Sequence, residues 1–305
     1  MNILSLFVLI PLLMLGALWA ARSLNQVRGV MVVGSTLLLA LSVYLTIDYL
    51  ALRQAGATAE MLYTASTVWY APLNICYSVG VDGISVAMLL LSSIIVFTGT
   101  FASWQLKPMT KEYFLWFTLL SAGVYGFFIS TDLFTMFMFY EVALIPMYLL
   151  IGVWGSGQKE YAAMKLTLML MGGSAFLLIG ILGIFYGAGA ETMNILEIAQ
   201  RHIPTEMQRL FFPLIFLGFG VLGALFPFHT WSPDGHASAP TAVSMLHAGV
   251  LMKLGGYGCF RVAMYLMPEG AEIWGNFFLV LTTISVVYGA FSAVVQTDLK
   301  YINAY

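Results

Sequence analysis

The sequence predicts an all-α, polytopic transmembrane helix bundle of about nine spanning helices, with one helix broken near residues 222–240. Three observations predict it. Hydrophobic residues make up 61% of the 305 residues and charged residues only 9%. A soluble domain carries about 25% charged residues, so too little polar surface exists here to cover a core in water. The apolar residues gather in runs near the roughly 20 residues that a helix needs to cross a bilayer. Finally, Pro227, Pro233 and Pro240 interrupt LGALFPFHTWSPDGHASAPTAVSMLHAGVLMKLGGY (Leu222–Tyr257), which joins two apolar runs. A helix in lipid loses backbone hydrogen bonds at Pro227 unless protein or water replaces them, so this stretch should face a protein interior or a wet cavity.

The predicted spans are 3–21, 29–50, 83–104, 112–130, 132–154, 162–187, 209–227, 239–266 and 274–295. The first lacks a basic start and Arg22 follows it, so it reads as a retained helix and not a signal peptide. None of the runs alternates with period two, which excludes a β-barrel. Residues 51–81 read as a longer polar-leaning loop. In ETMNILEIAQRHIP (191–204), Ile195, Leu196 and Ile198 stand among charges and predict a short amphipathic helix at the interface. The last residues, QTDLKYINAY, are neither a helix stop nor a polar tail; they read as the start of another membrane element, so the chain is expected to be a fragment.

Lys and Arg set the orientation. Arg22 and Arg28, Lys107 and Lys111, and Lys159 follow helices one, three and five, whereas Arg53 alone follows helix two and none follows helix four. By the positive-inside rule the N-terminus lies outside and odd-numbered helices end in the cytoplasm, Arg201 and Arg209 running against the pattern. The net charge of −2 and the absence of a basic patch exclude nucleic acid as a partner. Cys76 and Cys259 lie in different segments with no metal spacing, which argues against a disulfide framework.

Buried ionisable residues carry what chemistry the sequence offers. Glu141 lies near the middle of DLFTMFMFYEVALIPMYLL with only Asp132 charged nearby. A carboxyl in apolar surroundings suits a group that gains and loses a proton near neutral pH; the blander role is a packing lock between helices. Lys253 sits within GVLMKLGG, where a lysine costs about 2.5–3.5 kcal/mol on insertion scales and marks an ion or proton path. The next charge, Arg261, is about 12 Å further along the helix, so Lys253 is expected deep in its run and not snorkelling. His229, His236 and His247 are candidate proton relays or satisfied polar groups at a helix break. They show no HxxxH or HExxH spacing for a metal. Asp82 reads as the cap of helix three. Lys165 is either a snorkelling anchor or a second buried base. Asp298 and Lys300 are expected to form a local ion pair or a subunit contact. Gly218, Gly220 and Gly223 match GxGxxG without the strand that motif needs; Gly220 and Ala224 instead make a small-xxx-small pair for helix packing. Without a Walker loop, CxxC or haem motif, no cofactor is expected on this chain.

PFHTWSPDGHASAPTAVSMLHAGVLMKLGGYG, QTDLK, YAAMK and FYEVALIPMYLL together resemble the antiporter-like membrane subunits of respiratory complex I, most of all the subunit M type related to mitochondrial subunit 4. Multi-subunit sodium/proton antiporter and membrane-bound hydrogenase subunits are similar in the same places. The resemblance implies a proton-translocating membrane subunit of an NADH-quinone oxidoreductase in the cell inner membrane. Other membrane subunits would be its partners, quinone would bind elsewhere, and FMN and iron–sulfur clusters would lie on other chains. It also implies inverted five-helix repeats, with N-terminal helices over 1–130 and the first repeat plus the start of the following helices over 131–305. Glu141 matches the family's helix-five glutamate and Lys253 its helix-eight lysine. His229, Trp231, Pro233 and Asp234 fall in the motif at and after the broken helix. One departure stands out: where the family carries a lysine five residues before Pro227, this chain has Leu222. His229 is then a hypothetical substitute partner for Glu141. A non-pumping scaffold subunit and a cation/proton antiporter subunit are the alternative readings.

Overall fold

A computed structural model describes residues 2–189 and 191–305. Among the described residues, eight helices are long and apolar enough to span a membrane: Ile3–Ala20, Leu24–Gln54, Gly83–Ala102, Thr110–Ile129, Leu133–Trp154, Lys159–Gly187, Thr205–Leu222 and Pro268–Val295. We label the helices α1 (Leu6–Ala20), α2 (Leu24–Gln54), α3 (Gly83–Ala102), α4 (Thr110–Ile129), α5 (Leu133–Trp154), α6 (Lys159–Gly187), α7 (Ile195–Ala199) and α8 (Thr205–Leu222). They continue with α9 (Trp231–Ser238), α10 (Thr241–Leu246), α11 (Met252–Gly258), α12 (Pro268–Val295) and α13 (Leu299–Ala304). The expected span 239–266 is present but its turns vary: α10 runs through a π-helical segment, His247–Leu251, into α11 and then a second, Cys259–Met264.

α4 is the centre of the bundle, buried along nearly its whole length, and packs on α1, α3 and α5. α6 lies against α5 and α8, and α12 lies outermost on α8 with little of its surface covered. Polar side chains fix the helix starts. Ser23 and Gln26 form a reciprocal capping box on α2, which satisfies two backbone donors that a helix start leaves free. Asp82 accepts the Ser85 N–H at 2.8 Å, as its position before an apolar run predicts.

Residues 51–81 are not a plain loop. They hold an antiparallel hairpin, β1 (Leu62–Tyr70) and β2 (Ile75–Val81), turning through Asn74 at φ 47°. β2 is buried on almost every residue and β1 exposed along most of its length, so neither shows the alternation by which a half-buried strand is recognised. The hairpin holds the N-terminal end of α5. Asp132, fully buried, caps α5 through the Thr135 N–H at 2.9 Å and accepts the Cys76 N–H at 3.1 Å, while the Thr131 N–H donates to Ser78 O at 2.9 Å. Within 191–204 the amphipathic helix is α7, five residues long, with Ile195 and Ile198 buried.

The bundle alternates as the charge pattern requires. Lys111 donates to the carbonyls of Trp19 (2.8 Å) and Ala21 (2.9 Å), and Arg28 to Trp104 O at 2.6 Å, which gathers the loops after α1 and α3 at one end. At the other end Arg261 pairs with Asp82 and, at 3.3 Å, with Glu60, whose carboxylate also accepts the Tyr265 hydroxyl at 2.7 Å.

Candidate functional site

The break after α8 begins with a Schellman turn. Ala224 takes a left-handed φ of 58°, its N–H donates to Val221 O (3.1 Å), and the Leu225 N–H reaches back to Gly220 O (2.8 Å). Leu225 also packs against Gly220. Gly220 and Ala224 therefore end a helix and do not form a crossing. The close crossings lie elsewhere: a Cβ on Gly255 would stand 2.5 Å from Phe219 O, and one on Gly218 would stand 2.9 Å from Gly173 O. The freed backbone finds protein partners, as a break in lipid requires. The buried Trp231 indole donates to Val221 O at 3.0 Å, and the Phe226 N–H donates to the Ser285 hydroxyl of α12 at 2.7 Å.

A cleft of about 170 Å³ opens at this break. His229, Ser232, Met252, Ser285 and Tyr305 line it, and a polar space of this size holds more than one water. His229 faces the rings of Tyr288 (4.8 Å) and Phe226 (5.6 Å), and its buried Nδ1 has no partner among the described residues. His229 Nδ1 and Glu141 Oε1 are both unpartnered among the described residues, so no His229–Glu141 pair stands in for the missing lysine there. The reason is the turn at Ala224, which ends the helical register that would have carried His229 onto the face of Leu222.

Deeper in, His236 and His247 stack at 4.2 Å, and Trp231 stacks on the other side of His247 at 5.2 Å. His247 is fully buried with neither ring nitrogen partnered among the described residues; His236 meets Ser244 Oγ at 3.2 Å. Lys253 follows His247 by six residues on the same continuous helical run. Among the described residues, however, no element covers it. Its side chain is exposed and Nζ donates to Ala248 O at 2.6 Å. Lys253, Gly256, Phe260 and Met264 share the face that no described element of this chain covers, opposite Leu254 and Gly255, which pack on α8. Depth along a run does not determine which face a residue occupies.

Glu141 is half-buried on α5 and its Oε1 is buried without a partner; Ser174 of α6 lies beside the carboxyl. Leu222 is fully buried. Further along α6, Lys165 pairs with Asp234 of α9 at 2.7 Å, and the other Asp234 oxygen accepts the Tyr301 hydroxyl at 3.2 Å. Lys165, expected as a snorkelling anchor or a second buried base, is held in an ion pair, its side chain 23% exposed. Of the two expectations for Asp298 and Lys300, the local ion pair does not form. Asp298 caps α13 through the Lys300 N–H at 2.8 Å, while Lys300 Nζ donates to Ala237 O at 3.2 Å and fastens α13 to α9. The Lys165–Asp234 pair is the contact in this region that the sequence did not connect. The available signal was that Asp234 is the only carboxylate between Leu222 and Tyr257.

The structure thus holds four separate polar groups in this region: Glu141 beside Ser174, the Lys165–Asp234 pair, His229 at its cleft, and the His236–His247 stack, with Lys253 on the neighbouring turn. Such groups can carry protons by titratable side chains and interposed water.

A family model described as "NADH:quinone oxidoreductase/Mrp antiporter, TM" matches residues 130–305. A relative from Picosynechococcus sp., named NAD(P)H-quinone oxidoreductase chain 4 3, is 38% identical over 247 residues, covering 81% of this chain and 45% of that protein. Among solved structures, a chain of respiratory complex I from Thermus thermophilus with bound NADH superposes with a TM-score of 0.87 at 25% identity, covering 99% of this chain and 61% of that one. A chain of the archaeal membrane-bound sulfane sulfur reductase also reaches 0.87, at 22% identity and covering 100% and 62%, and shows the shared fold. The chain thus spans under half of the curated relative and about three fifths of each structural neighbour.

Proposed function

Because the chain belongs to the NADH:quinone oxidoreductase/Mrp antiporter transmembrane family, we propose that it works as a proton-translocating membrane subunit of an NADH-quinone oxidoreductase in a bacterial plasma membrane. The quinone site, the FMN and the iron–sulfur clusters belong to partner subunits, and this chain moves protons in response to charge changes relayed from them. The proposal rests on one observation above the others. Glu141 sits in the middle of a spanning helix, with one oxygen buried and unpartnered and no ion pair among the described residues.

A carboxyl placed so is inexpensive to protonate and costly to ionise, and its ionised form demands a cation or water. Its protonation state then answers to charge changes at the other ionisable groups. When Lys165 releases Asp234, or when the imidazoles near Lys253 take up a proton, the field at the centre of the bundle changes. Glu141 accepts or releases a proton accordingly, His229 and the water-sized cleft carry it past the break, and Lys253 passes it on. The test is proton translocation per NADH oxidised by the assembled complex carrying Glu141→Gln, a change that keeps shape and removes the titration. Translocation should fall while assembly persists; unchanged translocation would refute the role.

A second reading has its own observation. Leu222, buried and apolar, stands where the family pattern carries a lysine. A subunit built this way could hold neighbours together and move few protons. Comparing the native chain with Leu222→Lys separates the two, since strong translocation by the native chain rules out the scaffold reading.

A further inference from the structure

Between α1 and α2 lies an apolar groove of about 530 Å³, lined by none of the ionisable groups described above. Leu13 and Val33 form exposed walls, and Met14 lies flat on the floor because Gly34 has no side chain to hold it off. Gly29 leaves the groove open at one side: a Cβ there would meet nothing within 4 Å. Along α2 the groove runs from Gln26 to Leu37. At 1.5 Å per residue this is about 16 Å, about half of a roughly 30 Å hydrocarbon core and so the depth of one leaflet. α2 itself continues to Gln54, well beyond the groove, whereas a partner's spanning helix would need a seat along the full thickness.

The mouth is cationic. Gln26, which lines it, accepts the backbone N–H of Arg22 at 2.8 Å. The Arg22 side chain is exposed and takes part in no hydrogen bond or ion pair among the described residues. Arg28, Lys107 and Lys111 lie at the same end, with Glu112 the carboxylate nearest in sequence. A leaflet-deep apolar slot under unpaired guanidinium charge is complementary to one molecule: a lipid with an apolar tail and an anionic head.

We propose that this groove binds an anionic phospholipid of the leaflet at the α1–α2 loop, with one acyl chain along Met14 and Gly29 and the headgroup phosphate at Arg22. The site is independent of proton transfer, and its failure would leave that reading untouched.

The experiment uses the assembled complex in nanodiscs containing phosphatidylglycerol or phosphatidylcholine, each with a photoactivatable diazirine midway along one acyl chain. Crosslinked peptides are mapped by mass spectrometry. Phosphatidylglycerol should label the Leu13 and Val33 peptides in preference to phosphatidylcholine, and Arg22→Gln should reduce that preference by about fivefold, the contribution of one cation near a lipid surface. Gly29→Phe should remove the label by filling the slot, and its open surroundings leave assembly unaffected. Arg22→Gln, in a surface loop, gives an independent answer should Gly29→Phe lower the yield of complex. Equal labelling by the two lipids, labelling that survives Gly29→Phe, or labelling confined to partner-subunit peptides with none on the Leu13 and Val33 peptides would each overturn the proposal.

Discussion

The Lys165–Asp234 pair gives the prediction with the most definite size. Asp234→Ala removes the acceptor of a 2.7 Å charged hydrogen bond and leaves Lys165 alone between α6 and α9. A hydrogen bond to a charged group contributes about 1.5–3 kcal/mol, and breaking a fully buried pair costs about 3–5 kcal/mol. The two side chains are 23% and 26% exposed, so water softens the loss and the lower range applies. The local opening of α9 should then become about ten- to a hundredfold more populated. Hydrogen exchange of the Trp231–Ser238 amides in the assembled complex reads this directly. Lys165→Met should speed exchange similarly, and the double variant should lose less than the sum of the singles by about 1.5–3 kcal/mol, because each single change strands a charge. Additivity within about 0.5 kcal/mol would show that the pair does not hold α9 and would refute the reasoning.

Three further outcomes follow from the same geometry. Gly255→Ala drives a Cβ to 2.5 Å from Phe219 O, a backbone atom that cannot swing away; it should lower the thermal stability of the complex by at least about 1–3 kcal/mol, while Gly256→Ala, with nothing within 4 Å, changes nothing. Ala224→Gly relieves a left-handed alanine at the Schellman turn and should stabilise by about 1 kcal/mol in the same assay. In the hairpin, burial and then the hydrogen bond to Asp48 raise the Tyr63 hydroxyl above the ordinary tyrosine value. The folded state therefore prefers the protonated phenol, so its contribution is full below about pH 10 and is lost as pH rises above it. Exchange of the hairpin amides should accelerate beyond the intrinsic pH effect in that window, and Tyr63→Phe should abolish the excess.

The spans were legible because an apolar run of bilayer length has one low-energy structure in lipid, and Asp82 was legible as a cap because its role is local. The hairpin was hidden because β2, buried on almost every residue, and β1, exposed along most of its length, give no alternation. Lys253 lies where its apolar run predicts; hydropathy gives that depth but not which neighbouring element covers its face, and among the described residues none does. His229 was placed by a helical register that the Ala224 turn interrupts. Lys165 and Asp234 are 69 residues apart; each was visible as a rare charge, but only the packing of α9 on α6 makes them a pair.

The central claim is that the Glu141 carboxyl changes its protonation as the complex turns over. Redox-triggered infrared difference spectroscopy of the membrane complex measures this. The account predicts a protonated-carboxyl C=O band that changes when NADH is added and is missing from Glu141→Gln. An identical difference spectrum in native and variant complexes would contradict it.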